Sequence, residues 1–314
     1  MASSSVANRN GITLMEVLIS IGILAIGLSS VVALVPAGKS EAAKAVIMDR
    51  SANLAMNVLN DAIVFGLVRP ACIVANPPLS STSPTVVVFD PLHEVSGTSV
   101  WSNTASGTVA IRGILSPATP PPTANRRLME PLLQGRDDIV YAAPGNEDVP
   151  PTNLFSSGTL GTRQFQGRTT ALFSLAAFGT VGSGTIEPGT LAKATAVVFH
   201  NRSLDSVGDA IVTGAYNELD RPAGTIALDA SSLPSDRSLK EAIRSGTVVY
   251  SSLAAPAARW HQVAMASVDE GAGIAYVTFV GDAEPPPGPV QIALDSVGLA
   301  ERVVALEGPG PYGQ

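Results

Sequence analysis

Glu16 is the one charged side chain in an apolar run that extends over residues 12–35. A carboxylate inside a membrane-spanning helix costs a few kcal/mol on insertion scales, so something is expected to offset that cost. A cation close to the carboxylate could do so, and so could protonation or a side chain that reaches to the membrane surface. The first candidate for function is therefore an electrostatic contact in a membrane helix.

Other residue types that carry chemistry do not form a site in this sequence. The histidines, His93, His200 and His261, are far apart and belong to no H-x-x-x-H or H-E-x-x-H pattern. His261 follows Trp260 and is expected to be a half-buried sheet residue. The single cysteine, Cys72, excludes an intramolecular disulfide and a cysteine-based zinc cluster, and its apolar neighbours indicate a buried, inert thiol.

Loops and charges give no further site. GRDD (135–138) and DEGAG (269–273) contain carboxylates but lack the alternating oxygen ligands of a calcium loop, and we expect solvated turns there. VGSGTIEPG (181–189) has a glutamate where a phosphate loop needs its last glycine. The net charge is −7, and Arg126–Arg127 is the only adjacent basic pair, so no nucleic-acid surface is expected. We predict no catalytic residues, cofactor, metal, small-molecule substrate or enzymatic activity.

The apolar run is long enough to cross a bilayer. Its 24 residues would form a helix of about 36 Å. A secretory signal peptide fits poorly, because the run exceeds the usual length of a signal's apolar core, contains Glu16 and is followed by no clean A-x-A site. The preceding residues carry Arg9 and no acid, which favours a cytoplasmic N-terminus and an external C-terminal part.

Gly11 followed by Ile-Thr-Leu-Met-Glu-Val-Leu resembles the class III signal of type IV prepilins and type II secretion pseudopilins. In that family a prepilin peptidase cleaves after the glycine and methylates the new N-terminal amine. The resemblance therefore implies cleavage between Gly11 and Ile12, with Glu16 as the family's acid. ILAIGL at 23–28 is further similar to minor pilins of the PilV type and to the I and J minor pseudopilins. Ile12 is a departure, since Phe or Met is commoner at that position.

The resemblance also implies a partner for Glu16. In the family, a subunit packing alongside presents its N-terminal amine to this acid. An ammonium within about 4 Å gives strong attraction in low dielectric, but desolvation opposes it. We therefore expect the contact to set the register between subunits more than to add net stability.

A long helix is expected to continue beyond the span. Pro36 and Gly38 interrupt the run where it should leave the bilayer, so we predict a kink at Pro36. Apolar residues then recur at helical spacing to about residue 66. The predicted apolar stripe consists of Ala43, Ile47, Leu54, Val58 and Ile63.

The pattern changes to short β-rich runs from residue 67 onward. Candidate strands cover 85–89, 108–115, 138–142, 170–178, 195–201, 224–230 and 247–253, followed by a hairpin at 259–281 and the runs QIALDS and ERVVALEG. One short helix is predicted over 238–246, with Ser238 as N-cap, Glu241 at the capping-box position and Gly246 as stop. Proline-rich loops are predicted at 116–125, 143–153 and 283–290.

These features predict an α+β fold in which a long N-terminal helix packs on a β-rich C-terminal globular domain, the lollipop shape that the pilin resemblance implies. The expected parts are a leader peptide at 1–11, a transmembrane helix at 12–35, its amphipathic continuation at 36–66, and a periplasmic or extracellular domain at 67–314. The predicted location is the inner membrane, crossed once, with assembly into a filament.

The leading functional hypothesis is a structural one. The chain would be a minor pilin or pseudopilin of a bacterial type IV pilus or type II secretion system, with prepilin peptidase and other pilin subunits as partners. The alternative is a membrane-anchored adhesin or substrate-recognition module. Clustered exposed aromatic residues would favour that alternative, and Trp101, Trp260 and five tyrosines are instead spread along the chain.

Overall fold

The computed structural model describes a long helix, most of the predicted strands and the connections between several of them. The described residues are 14–64, 68, 73–76, 86–90, 104–109, 133, 139–141, 163–165, 169–177, 189–200, 211–217, 225–229, 233, 237–251, 259–281 and 288–306. Gly11, Ile12, Cys72 and His93 lie outside them, as do the predicted loops at 116–125 and 143–153.

Two helices and fourteen strands lie in the described part of the chain. They are α1 (Leu14–Val64), β1 (Ile73–Asn76), β2 (Val86–Phe89), β3 (Thr104–Val109), β4 (Ile139–Tyr141), β5 (Arg163–Phe165), β6 (Thr169–Ala177), β7 (Leu191–His200), β8 (Ile211–Asn217), β9 (Ile226–Asp229), α2 (Leu239–Ala242), β10 (Val248–Ser251), β11 (Arg259–Asp269), β12 (Ile274–Phe279), β13 (Gly288–Ala293) and β14 (Ser296–Ala305). The α+β class and the long N-terminal helix followed by a β-rich domain are confirmed.

Helix α1 is continuous over 51 residues and contains Pro36 in its interior. At 1.5 Å per residue it extends about 77 Å. Contacts divide the chain into two compact units, Met1–Ile47 and Met48–Gln314. The first unit is helix alone in its described part, and the second contains the last turns of α1 and every strand.

The second unit contains a six-stranded sheet and a closed barrel. The strand order of the sheet is β1-β3-β2-β6-β7-β14, and only the β2–β3 pair is parallel. The barrel has the order β10-β11-β12-β9-β8-β13, and all its pairs are antiparallel. Strands β4 and β5 form a separate antiparallel pair.

The central strands β2, β6 and β7 of the six-stranded sheet are buried on both faces. Because successive side chains of a strand point to opposite faces, Val87 and Phe89 of β2 pack with the end of α1, among Leu54 and Val58. Val86 and Val88 face the other way and join a cluster that includes Tyr250 and Trp260 of the barrel. The continuous apolar sequence VVVF follows from this two-sided burial.

The chain passes from barrel to sheet through two residues, Leu294 and Asp295, between β13 and β14. Asp295 has φ +59°, which few residues other than glycine adopt, and its carboxylate pairs with Arg237 at 2.8 Å. Its carbonyl accepts from the N–H of His200 at 2.8 Å.

The next residue, Ser296, accepts from the N–H of Val248 at 2.7 Å and donates to the carbonyl of Ala293 at 2.6 Å. The turn thus ties barrel and sheet together.

The local predictions are largely confirmed, with differences at element ends. The hairpin at 259–281 is present, and Asp269 pairs with Ile274 at its tip. Helix α2 has the predicted capping box of Ser238 and Glu241, but it ends at Ala242 instead of reaching Gly246. Residues 243–246 leave the helix because the chain turns into β10, and Gly246 has φ +94°.

Two other boundaries differ from the prediction. Strand β13 begins at Gly288, inside the segment predicted as a loop up to residue 290. Pro289 is tolerated there because it lies near the start of the strand, and β10 pairs only with residues 290–293. Strand β3 covers 104–109, whereas the prediction began at residue 108, and residues 110–115 lie outside the described part.

Candidate functional site

Glu16 lies in the first turn of α1 and is exposed. Its apolar neighbours are exposed too: Leu14 by 80%, Met15 by 71% and Val17 by 46%. An acid near a helix N-terminus is favoured by the helix dipole. The carboxylate therefore belongs to a helix surface that this chain leaves open to another molecule or to lipid.

Three serine hydroxyl groups in the described part of the apolar segment are bonded within the helix. Ser20 donates to the carbonyl of Glu16 at 2.7 Å, Ser29 to that of Ile26 at 2.9 Å, and Ser30 to that of Gly27 at 2.7 Å. Such bonds satisfy a hydroxyl without water. Polar groups in hydrocarbon need internal partners, so these three serines fit a helix placed in a bilayer.

By length and composition, α1 is long and apolar enough to cross a membrane, and it is the one such helix among the residues that the structure describes. Its apolar window is entirely exposed in the chain, unlike the core helix of a soluble protein. The single apolar helix near the N-terminus fits a membrane-anchored protein.

The buried face of α1 begins at its last third. Ile47 is half-buried, and the fully buried positions that follow are Ser51, Leu54, Ala55, Val58, Leu59 and Ala62. Leu54 and Val58 of the predicted stripe are buried, but Ala43 is exposed. The prediction also missed Ser51, because a hydroxyl gives no apolar signal in the sequence.

Ser51 is buried by a glycine on the neighbouring strand. A Cβ atom on Gly298 of β14 would lie 3.2 Å from the Cβ of Ser51, so a larger residue would require the helix or the strand to shift by a few tenths of an ångström.

Of the three histidines, His200 lies on β7 and His261 on β11, and His93 is outside the described residues. His261 is buried on β11, with its ring 5.4 Å from that of Phe279, and it is more enclosed than the predicted half-buried position. His200 is half-buried at the end of β7. Within the described ranges, no group of three or more metal-ligating side chains occurs.

The DEGAG sequence forms a turn that its own aspartate stabilises. Asp269 Oδ1 accepts from the N–H of Gly271 at 3.0 Å and from that of Ala272 at 3.1 Å. Gly273 has φ +69°. These bonds support the prediction of a solvated turn at this place, since the carboxylate is used by the turn itself.

One comparison with known proteins identifies the N-terminal segment. A family model described as "Prokaryotic N-terminal methylation motif" matches residues 6–32. No curated protein and no solved structure matches the chain. The matched residues contain the Gly11–Ile12 bond, Glu16 and the first turns of the exposed apolar helix. The chain therefore carries, at residues 6–32, the N-terminal methylation signal that is typical of type IV pilins and pseudopilins.

Proposed function

We propose that the chain is a minor subunit, a minor pilin or pseudopilin, of a bacterial type IV pilus or type II secretion filament. A prepilin peptidase cleaves it after Gly11 and methylates the amine of Ile12. The observation that carries the proposal is the methylation motif at 6–32, which continues into a 51-residue helix with an exposed apolar segment. Such a helix serves first as a membrane anchor and then as the core of a filament.

Glu16 is the assembly contact in this proposal. Cleavage after Gly11 places the new amine four residues before Glu16, and in a helical filament a neighbouring subunit presents its amine to this carboxylate. The exposed side chains around Glu16 form an apolar surface that neighbouring helices cover after assembly. In that dry surrounding an ammonium and a carboxylate attract strongly, and their pairing discriminates between registers.

The chain starts in the inner membrane with its N-terminus in the cytoplasm and residues 67–314 in the periplasm. Two sequence features favour a minor role over that of a major subunit. The domain is larger than that of a usual major pilin, and the single Cys72 leaves no C-terminal cysteine pair. The partners are prepilin peptidase and other pilin or pseudopilin subunits.

The test is the mature N-terminus. We expect co-expression with a prepilin peptidase to yield a chain that begins with N-methylated Ile12 by mass spectrometry. Gly11→Val should abolish this product, whereas an exchange of Asn10 for Ala should leave it unchanged. An intact Met1 in the presence of an active peptidase, or cleavage near Ala37, would contradict the proposal.

A further inference from the structure

One edge of strand β11, the open edge, has no partner strand among the described residues over part of its length. Residues 259–262 pair with β10 on this side, and Val263 completes the pairing by accepting from the N–H of Gly246 and donating to the carbonyl of Thr247, both at 2.8 Å. From Met265 to Asp269 the strand pairs with β12 on its other side. No strand in the described part of the chain pairs with the open edge along residues 264–269.

A groove of about 920 Å³ follows this edge. One wall is the strand itself, residues 264–270, and the other is formed by Lys240, Ile243, Arg244 and Ser245 at the end of α2. Met265 is 71% exposed in the groove. In a strand that is paired on one side only, every second residue directs its N–H and C=O groups to the unpaired side. The open edge therefore offers hydrogen-bond donors and acceptors to a further strand.

The groove carries opposite charges at its two ends. Gly246 is bonded to Val263, which places Arg244 and Lys240 beside the start of the open edge. Glu270 lies at the far end, in the turn that directly follows β11, and the strand from Ala264 to Asp269 alone spans about 17 Å. That distance is too long for Glu270 to pair with Arg244 of its own chain.

We propose that this edge binds the same edge of a second copy of the chain, forming a two-fold antiparallel β11–β11 contact. Directly opposed residues of an antiparallel pair point to the same face of the sheet. A two-fold axis perpendicular to the sheet must therefore bring one residue opposite its own copy, because neighbouring residues of a strand point to different faces. With the axis at Ser267, Glu270 of the second copy comes opposite Ala264 and beside Arg244. The symmetry repeats this charge pair at the other end.

The second copy is favoured over another extended segment by this charge pattern. It brings an acid to each basic end of the combined groove. The contact joins domains and does not use the residues assigned to processing, so its failure and that of the proposed function are separate outcomes.

Disulfide cross-linking of the full chain in detergent tests the geometry. In a Cys72→Ser background, Ser267→Cys should form a cross-linked dimer on mild oxidation, because directly opposed residues have Cα atoms about 4.5–5.5 Å apart, within the range of a disulfide. Val303→Cys, exposed on β14 away from the groove, is the matched control and should give little dimer.

A charge exchange tests the orientation. Arg244→Glu and Glu270→Lys, each added to Ser267→Cys, should lower the yield of dimer about tenfold, since each change places like charges together at both ends. Mixing the two variants, with tags of different size, should restore a heterodimer, because both contacts are then complementary. The control Arg302→Glu should keep the full yield.

Two results would overturn the proposal. One is a yield of Ser267→Cys dimer no higher than that of Val303→Cys dimer. The other is a mixture of the Arg244→Glu and Glu270→Lys variants that cross-links no better than either variant alone. Restored cross-linking in the mixture would also show that both variants are folded.

Discussion

Gly298 of β14 lies directly against Ser51 of α1, so that a Cβ atom on residue 298 would be 3.2 Å from the Cβ of Ser51. At this contact the end of α1 packs on one face of the six-stranded sheet. Ser51 is 1% exposed and lies on the same face of the helix as Leu54, Ala55 and Val58.

Gly298→Ala is expected to lower the free energy of unfolding by about 1 kcal/mol, and Gly298→Val by about 2–3 kcal/mol, because the added atoms overlap the helix. Chemical denaturation in detergent, followed by tryptophan fluorescence, measures this. Adding Ser51→Gly should recover part of the loss of Gly298→Ala, so the double variant should cost less than the sum of the single changes. Gly271→Ala, with an ordinary 3.4 Å contact, is the control. Strict additivity would contradict the contact.

Ser296→Ala should lower the free energy of unfolding by about 1–3 kcal/mol, since it leaves the buried N–H of Val248 without its acceptor. The same denaturation experiment measures the loss. Ser267→Ala, an exposed serine on β11, should change the value by less than about 0.5 kcal/mol. Equal effects of the two substitutions would argue against the role of Ser296 in joining the barrel to the sheet.

Asp295→Ala should destabilise more than Asp295→Asn. Alanine is strained at φ +59° and loses the partner of Arg237, whereas asparagine tolerates this backbone conformation and keeps an oxygen for the guanidinium. We expect a loss of about 1–2 kcal/mol for alanine and less than half of that for asparagine. Thermal melting of the two variants in parallel ranks them, and the reverse order would refute the explanation.

Tyr250 should make the stability depend on alkaline pH. Its ring is fully buried against Trp260, with centroids 4.7 Å apart, and burial raises the pKa of the phenol. A raised folded-state pKa means that the native chain holds the proton longer than the unfolded chain. Stability is therefore unaffected below the unfolded pKa of about 10 and falls as the pH rises above it, by at most about 1.4 kcal/mol per pH unit.

The check on Tyr250 is to compare the pH profile of the free energy of unfolding with that of Tyr250→Phe. The variant should lose less stability above about pH 10, because its ring has no proton to release. Below the unfolded pKa of about 10 the two profiles should run parallel, which serves as the internal control. Profiles for wild type and Tyr250→Phe that stay parallel above that pKa as well would contradict the prediction.

Glu16→Ala and Glu16→Val should leave membrane insertion and processing normal but reduce incorporation into filaments. Removing the carboxylate takes away the partner of the neighbouring amine while making the span more apolar. Immunoblots of the membrane and sheared-filament fractions measure the two steps. Glu41→Ala removes an acid that pairs with Lys44 at 2.7 Å on the same helix and should incorporate normally. Unchanged incorporation of the Glu16 variants would mean that the acid has no assembly role.

Local features of the fold were predictable because their signals are local. The run TVVVF, the hairpin around Asp269 and the Ser238–Glu241 capping box each depend on neighbours within a few residues. Strand β8 was not predicted, since its sequence IVTGAYN has a central glycine and little apolar alternation. Strand β1, IVAN, is only four residues long.

The barrel and the approach of β14 to α1 could not be predicted, since they depend on pairings between distant residues. Strand β13 joins β8 and β10, whereas β14, two residues later, joins β7. The two runs QIALDS and ERVVALEG look like one hairpin in sequence, but they belong to different sheets. Glu16 and the methylation motif were recognisable because they lie within one short stretch of sequence, residues 6–32, whose spacing does not depend on the fold.

The turn at Leu294–Asp295 has a consequence for the timing of folding. Strands β13 and β14 are synthesised after every strand with which they pair, so a ribosome must pass residue 293 before the barrel can close and residue 305 before the β7–β14 pair is complete. Such long-range pairing is slow. Closure of the barrel and completion of the sheet edge therefore both wait for the last two strands of the chain.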